Sequence, residues 1–152
     1  MLEAKRVATV TVETEPGRLF ATRVKGLVHT LVADEPVPEG DDLGFSPYEL
    51  LLASLGSCTA MTLEMYARRK AWPLEQVRIT LAFDRVHVGD AENCDEPLKR
   101  VDRITRQIEL LGPLDDEQRR RLVEIAGKCP VHKTLTNGPT IVDQLVSEPM
   151  FG

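Results

Sequence analysis

The stretch Ser46-Pro47-Tyr48-Glu49-Leu50-Leu51-Leu52-Ala53-Ser54-Leu55-Gly56-Ser57-Cys58 commits the chain to a helix. Ser46 offers an N-cap oxygen. Pro47 suits the first helical position, where a backbone N–H would have no helical partner, and Glu49 stands where a capping box needs its carboxylate. Beyond the cap, Leu51, Leu55, Cys58, Thr62 and Met65 recur at helical spacing. Leu50, Leu52, Ala53, Ala60, Met61 and Leu63 leave little polar surface before Glu64. A helix apolar on most sides needs cover on most sides, so it is expected to lie centrally. Arg68-Arg69-Lys70 complements the negative end of its dipole, and Trp72-Pro73 stops it.

Upstream, the period changes from helical to alternating. Arg6 to Glu13 sets Ala8, Val10 and Val12 against Thr9 and Thr11, the pattern of a half-buried strand. Pro16-Gly17 turns the chain; Leu19 to Val24 and Leu27 to Ala33 read as two further strands, giving a meander. Asp34 to Gly44 carries too many prolines, glycines and aspartates to be anything but a loop. Downstream, Val77, Ile79, Leu81 and Phe83 alternate with Arg78, Thr80 and Asp84. Ile104, Ile108 and Leu110 alternate with Arg103, Thr105, Gln107 and Glu109, so the two runs form a long hairpin across an acidic loop from Gly89 to Pro97. A second helix starts at Asp115 with Gln118 at its box position, buries Leu122, Ile125 and Ala126, and ends at Gly127. Pro130 starts a short helical turn capped by Cys129. Asn137-Gly138 turns again, and Thr140 to Val146 reads as an edge strand. The order is α+β: antiparallel strands around a central apolar helix, within a single domain spanning residues 1–152.

Composition narrows the function. The 152 residues are 42% hydrophobic and 28% charged, with 19 basic and 24 acidic side chains for a net charge of −5. One soluble globular domain is expected. The acidic balance, with no basic run flanked by aromatics, argues against nucleic acid and anionic membrane surfaces. The apolar run near Leu50 is far shorter than the ~20 residues of a bilayer span. No secretory leader is read at the N-terminus, so a cytoplasmic location with reduced thiols is expected.

Three cysteines then carry the chemical interest: Cys58, Cys94 and Cys129. A thiol reacts as thiolate, and an ordinary one is mostly protonated at neutral pH. Cys129 gains from the open N–H groups of the helix it starts. For Cys58 two readings stand. In an unbroken helix it sits in the third turn, where burial raises its pKa; if Gly56-Ser57 divides the helix, it sits at an N-terminus. Cys58 also fits simple packing on an apolar stripe. Cys94, among Glu92, Asn93, Asp95 and Glu96, is disfavoured as a thiolate. Glu49 has a structural role in the capping box. His132 follows Cys129 closely enough to share a metal, but no second close pair accompanies them; a site would be assembled from Cys58, Cys129, His132 and His29. His87 reads as an ordinary strand histidine, and Arg18 and Arg23, flanking the strand at Leu19, as surface charge.

Taken together, the segment ending at Cys58 and, 71 residues later, Lys128-Cys129-Pro130-Val131-His132 resemble the two cysteine motifs of the osmotically inducible protein C / organic hydroperoxide resistance family. The resemblance extends over the early strands, Asp34-Glu35-Pro36, the central helix, the hairpin and Gly112-Pro113-Leu114. It implies an intertwined homodimer with a site at each end of its interface. It further implies that Cys58 is the peroxidatic thiol and Cys129 the resolving one, with an external dithiol as reductant, an organic hydroperoxide as substrate, and no cofactor or metal. An ungapped match back from the Pro36 segment places the family's strand-borne arginine at Arg18, with Arg23 the next candidate; Glu49 is the candidate for the carboxylate that orients it. One departure is visible. The carboxylate of hydroperoxide-resistance members directly follows the helix-opening proline, and here that residue is Tyr48, with Glu49 about 100° further around the helix.

Two functions of different class follow. One is a thiol-dependent peroxidase acting in oxidative-stress defence. The other is a non-enzymatic dimer that senses oxidation or binds a small apolar ligand, which Tyr48 favours. A structural zinc site on Cys58, Cys129 and His132 is a third, weaker possibility.

Overall fold

The structure, a computed structural model, describes residues 7–88 and 99–146. Strands β1 (Thr11–Thr14), β2 (Thr22–Lys25) and β3 (Thr30–Ala33) precede the long helix α1 (Pro47–Lys70). Strands β4 (Gln76–Val88) and β5 (Lys99–Leu111), then helices α2 (Asp116–Ala126) and α3 (Pro130–Asn137), complete the order. This is an α+β fold of antiparallel strands with a central helix. Backbone contacts divide it into two compact units: Met1–Ser54 with Leu81–Thr105, and Leu55–Thr80 with Arg106–Gly152.

In the first unit, β1, β2 and β3 form the expected antiparallel meander, with Val12 opposite Val24 and Val24 opposite Leu31. The strands are shorter than their alternation implies because the turns take more residues. Gly17 adopts a left-handed φ of 79°. The Arg18 N–H then bonds Glu15 O, and Glu15 N–H bonds Ala21 O. Arg18 to Phe20 therefore belong to the turn, so Arg18 does not ride on a strand as the resemblance implied. Gly26 N–H bonds His29 O and likewise removes Leu27 and Val28 from β3. The loop after β3 is organised by buried Asp34, whose carboxylate accepts N–H bonds from Glu35, Asp41 and Leu43 at 2.8, 3.2 and 3.2 Å. The meander's apolar row stays open in the single chain: Val12 is 56% and Leu31 40% exposed.

α1 opens as its sequence dictates. Ser46 N–H donates to Glu49 Oε2 at 2.8 Å and Glu49 N–H to Ser46 Oγ at 3.3 Å, a closed capping box. The helix runs unbroken through Gly56-Ser57, which excludes an N-terminal position for Cys58. Its length and composition alone would let it cross a membrane. Its second half instead packs into the core of the second unit, where Leu63, Ala67, Leu114, Leu122, Ile125 and Ala126 are buried together with Trp72, Val77, Ile108 and Leu110 around them. Cover is one-sided, contrary to expectation. The buried positions Leu55, Thr59, Leu63 and Ala67 follow the i, i+4 row, whereas Met61 and Met65 are mostly exposed.

β4 and β5 pair as a two-stranded sheet. Cross-strand ion pairs share one antiparallel register, with Arg78–Glu109 and Arg103–Asp84 on the outer face and Arg85–Asp102 on the side of Phe83. Gly112, with a φ of 125° and close to the Pro73 carbonyl, lets β5 leave the sheet. Arg119 from α2 donates to Leu110 O at 2.6 Å and Gly112 O at 2.9 Å. α2 has the expected box, with Asp115 and Gln118 exchanging bonds, and the expected buried stripe. Gly127 ends α2 in a right-handed conformation, so its freedom at positive φ is not used. The expected edge strand from Thr140 to Val146 is absent: these residues pair with no strand of the described chain, and Ile141 and Leu145 are exposed. Cys94, the expected acidic loop around it and the N-terminal residues read for a leader lie outside the described residues.

Candidate functional site

The second unit brings two of the three cysteines together. Cys58, partly exposed on α1, and Cys129, fully buried, stand close enough for each thiol to shift the acidity of the other. Each owes its place to local sequence. Cys58 shares a side of α1 with Thr62 one turn later, and Thr59 beside it continues the buried row. Cys129 is the N-cap of α3, with Pro130 in the first turn, as expected. Its sulfur accepts the His132 N–H at 3.5 Å.

Their environments differ in a way that sorts the proton. Burial pushes the Cys58 thiol above its ordinary range. The Val131 N–H and the Thr62 hydroxyl work against this, while the hydrogen bond and charge of Cys129 add to it. Burial also disfavours charge on Cys129, yet four donors outweigh it: the Cys58 thiol, the His132 N–H, the Thr59 hydroxyl and the Val131 N–H hold it below the ordinary range. Of the two sulfurs Cys129 is therefore the more acidic, so a single proton shared by the pair sits on Cys58. The accessible sulfur is the weaker acid, and the stronger one is enclosed.

The other sequence candidates fall elsewhere. In the first unit, Arg18 pairs with Asp41 at 3.5 Å, Arg23 with Glu15 at 2.6 Å, and Glu49 serves the capping box. Tyr48 stacks on Phe83, with ring centroids 4.5 Å apart, and its hydroxyl accepts from Arg85 Nη2 at 3.2 Å. His132 contributes its backbone N–H to the sulfur. Among the described residues no group of three His, Cys, Asp or Glu side chains converges to hold a metal ion.

Sequence reasoning overlooked Thr59, Thr62 and Val131. Their signal was positional: Thr59 and Thr62 are one residue and one turn from Cys58, and Val131 supplies an open N–H of the turn that Cys129 caps. Arg106 was overlooked too. Its Nη1 donates to Thr59 Oγ1 at 2.8 Å.

Comparisons with known proteins agree with this architecture. The family model described as OsmC-like protein matches residues 40–142, which include both cysteines. Among solved structures, the chain resembles an OsmC-like protein from Mycoplasma pneumoniae at 18% identity and a TM-score of 0.69, covering 89% of this chain and 91% of that one. An organic hydroperoxide resistance protein OsmC from Legionella pneumophila matches at 17% identity and a TM-score of 0.62, covering 88% and 91%. The organic hydroperoxide resistance protein OhrB of Bacillus subtilis matches at 20% identity and a TM-score of 0.54, covering 89% and 93%. These likenesses concern the fold. No curated protein sequence matches the chain.

Proposed function

The chain belongs to the OsmC-like family, and on that premise we propose that it is a thiol-dependent peroxidase of oxidative-stress defence, reducing organic hydroperoxides through Cys58 and a Cys58–Cys129 disulfide. The observation that carries this reading is the adjacency of two thiols of unequal burial and unequal acidity. Cys58 is the sulfur a substrate can reach, so it attacks the terminal oxygen of R–O–O–H. Its proton passes to the Cys129 thiolate and on to the departing alkoxide. The O–O bond breaks, the alcohol leaves, and Cys58 becomes a sulfenic acid. Cys129, again a thiolate, attacks the Cys58 sulfur and expels hydroxide, which a solvent proton converts to water. An external dithiol reduces the disulfide by two exchange steps and is itself oxidised.

Arg18 enters on the resemblance, as the guanidinium that steadies the attacking sulfur and the alkoxide, with Glu49 orienting it. The protein works as a cytoplasmic homodimer; the open apolar row of the meander and the exposed Met61 and Met65 support association. Light scattering is expected to give twice the chain mass, and a monomer would count against the shared site. Turnover of an alkyl hydroperoxide with a dithiol reductant is expected from the purified protein and lost in Cys58→Ser. Undiminished turnover in that variant would overturn the reading.

A second reading, a redox sensor without turnover, draws on the burial that raises the Cys58 thiol and on Tyr48 in place of the family carboxylate. Disulfide formation on peroxide treatment, without catalytic consumption of peroxide in excess of protein, would select it.

A further inference from the structure

Strand β5 contains one residue that breaks its own pattern. Its inward positions are Ile104, Arg106, Ile108 and Leu110, and all four are half-buried, while Arg103, Thr105, Gln107 and Glu109 face water. An arginine in an apolar row is costly unless its charge is used. Among the described residues Arg106 has no carboxylate partner, and its side-chain hydrogen bond goes to Thr59 Oγ1, at 2.8 Å. The hairpin's other arginines differ: Arg78 and Arg103 on the outer face, and Arg85 on the side of Phe83, each pair with Asp or Glu.

Thr59 is fully buried and has a single hydroxyl proton. Its Oγ1 donates to Leu55 O, the carbonyl one turn back, at 2.7 Å, and the same hydroxyl is among the groups that favour charge on the Cys129 sulfur. Arg106 can only donate, so it occupies the acceptor side of the hydroxyl. The proton is left to the carbonyl or to the sulfur. An ionised sulfur is the stronger acceptor, and a donor polarised by a guanidinium is the stronger donor. We propose that Arg106 is a positioning residue of the dithiol, acting through the Thr59 hydroxyl to turn that donor toward the Cys129 sulfur and to keep a fixed positive charge behind it.

The consequence lies in the second half of the cycle. Cys129 must be a thiolate to attack the oxidised Cys58, and it must leave as a thiolate when an external thiol attacks the Cys58 sulfur of the disulfide. A relay that favours charge on Cys129 serves both steps. This rests on the reading of the pair as the reactive centre, but its test does not depend on turnover.

In a Cys58→Ser, Cys94→Ser background, the ultraviolet absorbance of the thiolate reports Cys129 alone. The other titratable groups around it, Lys128 before it and His132 and Lys133 on α3, are common to every variant compared. Arg106→Met is expected to move the midpoint up by about one pH unit, and Arg106→Lys to recover much of that shift. Thr59→Val is expected to raise the midpoint as well, and Arg106→Met added to Thr59→Val to raise it little further. A midpoint unmoved by Arg106→Met in a folded protein, or Arg106 and Thr59 effects that add in full, would overturn the proposal. Should Arg106→Met fail to fold, Arg106→Gln, neutral and still polar, carries the same expectation. A protein without peroxidase turnover that shows these shifts contradicts the proposed function alone.

Discussion

Replacing Cys129 by serine is expected to make Cys58 more acidic, although it removes the more acidic thiol of the pair. Cys129 acts on Cys58 in two ways, as a hydrogen-bonding partner and as a like charge, and both raise the Cys58 thiol. Two unit charges about 4 Å apart repel by about 4 kcal/mol at an effective dielectric constant near 20. That corresponds to about 3 pH units at 1.36 kcal/mol each. A serine hydroxyl keeps part of the hydrogen bonding, and burial of Cys58 is unchanged, so a downward shift of about 1–2 units is the realistic expectation. The assay is the rate of alkylation of Cys58 by iodoacetamide across pH in a Cys94→Ser background, with and without Cys129→Ser. The midpoint should fall in the double variant, and peroxide treatment should leave Cys58 as a sulfenic acid with no internal thiol to condense with. A midpoint that stays or rises would refute the assignment of the shared proton to Cys58.

Leu122, fully buried in the core of the second unit, is expected to cost about 3 kcal/mol as Leu122→Ala, read from urea denaturation; a loss below about 1 kcal/mol would mean that this core collapses around the change. Asp34→Ala leaves three N–H groups of the loop without their acceptor and is expected to cost about 2–3 kcal/mol by the same measurement. In Cys58→Ser protein the His132 N–H, the Thr59 hydroxyl and the Val131 N–H still favour charge on Cys129, so the folded state is expected to bind fewer protons than the unfolded one between its depressed pKa and the unfolded value. Stability should therefore rise with pH up to about 8.5 and level off above. Urea midpoints that fall with pH over that interval would contradict the direction of the shift.

Helix starts were the most legible part of the sequence because their chemistry is local. Ser46 with Glu49, and Asp115 with Gln118, form the boxes their spacing demands, and Cys129-Pro130 starts α3. Hairpin alternation was equally plain, since Val77, Ile79, Leu81 and Phe83 share one half-buried face. Strand lengths in the meander were less legible, because alternation continues through residues that the turns at Glu15 and Gly26 claim by backbone bonds. Thr140 to Val146 alternates well but has no neighbouring strand in the described chain, and alternation cannot supply a partner. At the site, two cysteines 71 residues apart were recognisable only as a paired motif. Their order of acidity depends on which sulfur collects the donors of Thr59, Val131 and His132, a property of packing rather than of spacing. Arg106 was passed over because its neighbours Arg103, Thr105, Gln107 and Glu109 make one more polar residue look ordinary, until the strand's inward register is counted.

The central claim is that Cys58 and Cys129 form one redox unit. Its most direct test is mass mapping of the protein after one equivalent of an alkyl hydroperoxide. The account predicts loss of two hydrogens and a single cross-link joining the peptides of Cys58 and Cys129, with Cys94 still alkylatable. Cross-links through Cys94, or sulfenic acid persisting on Cys58 with Cys129 free, would contradict it.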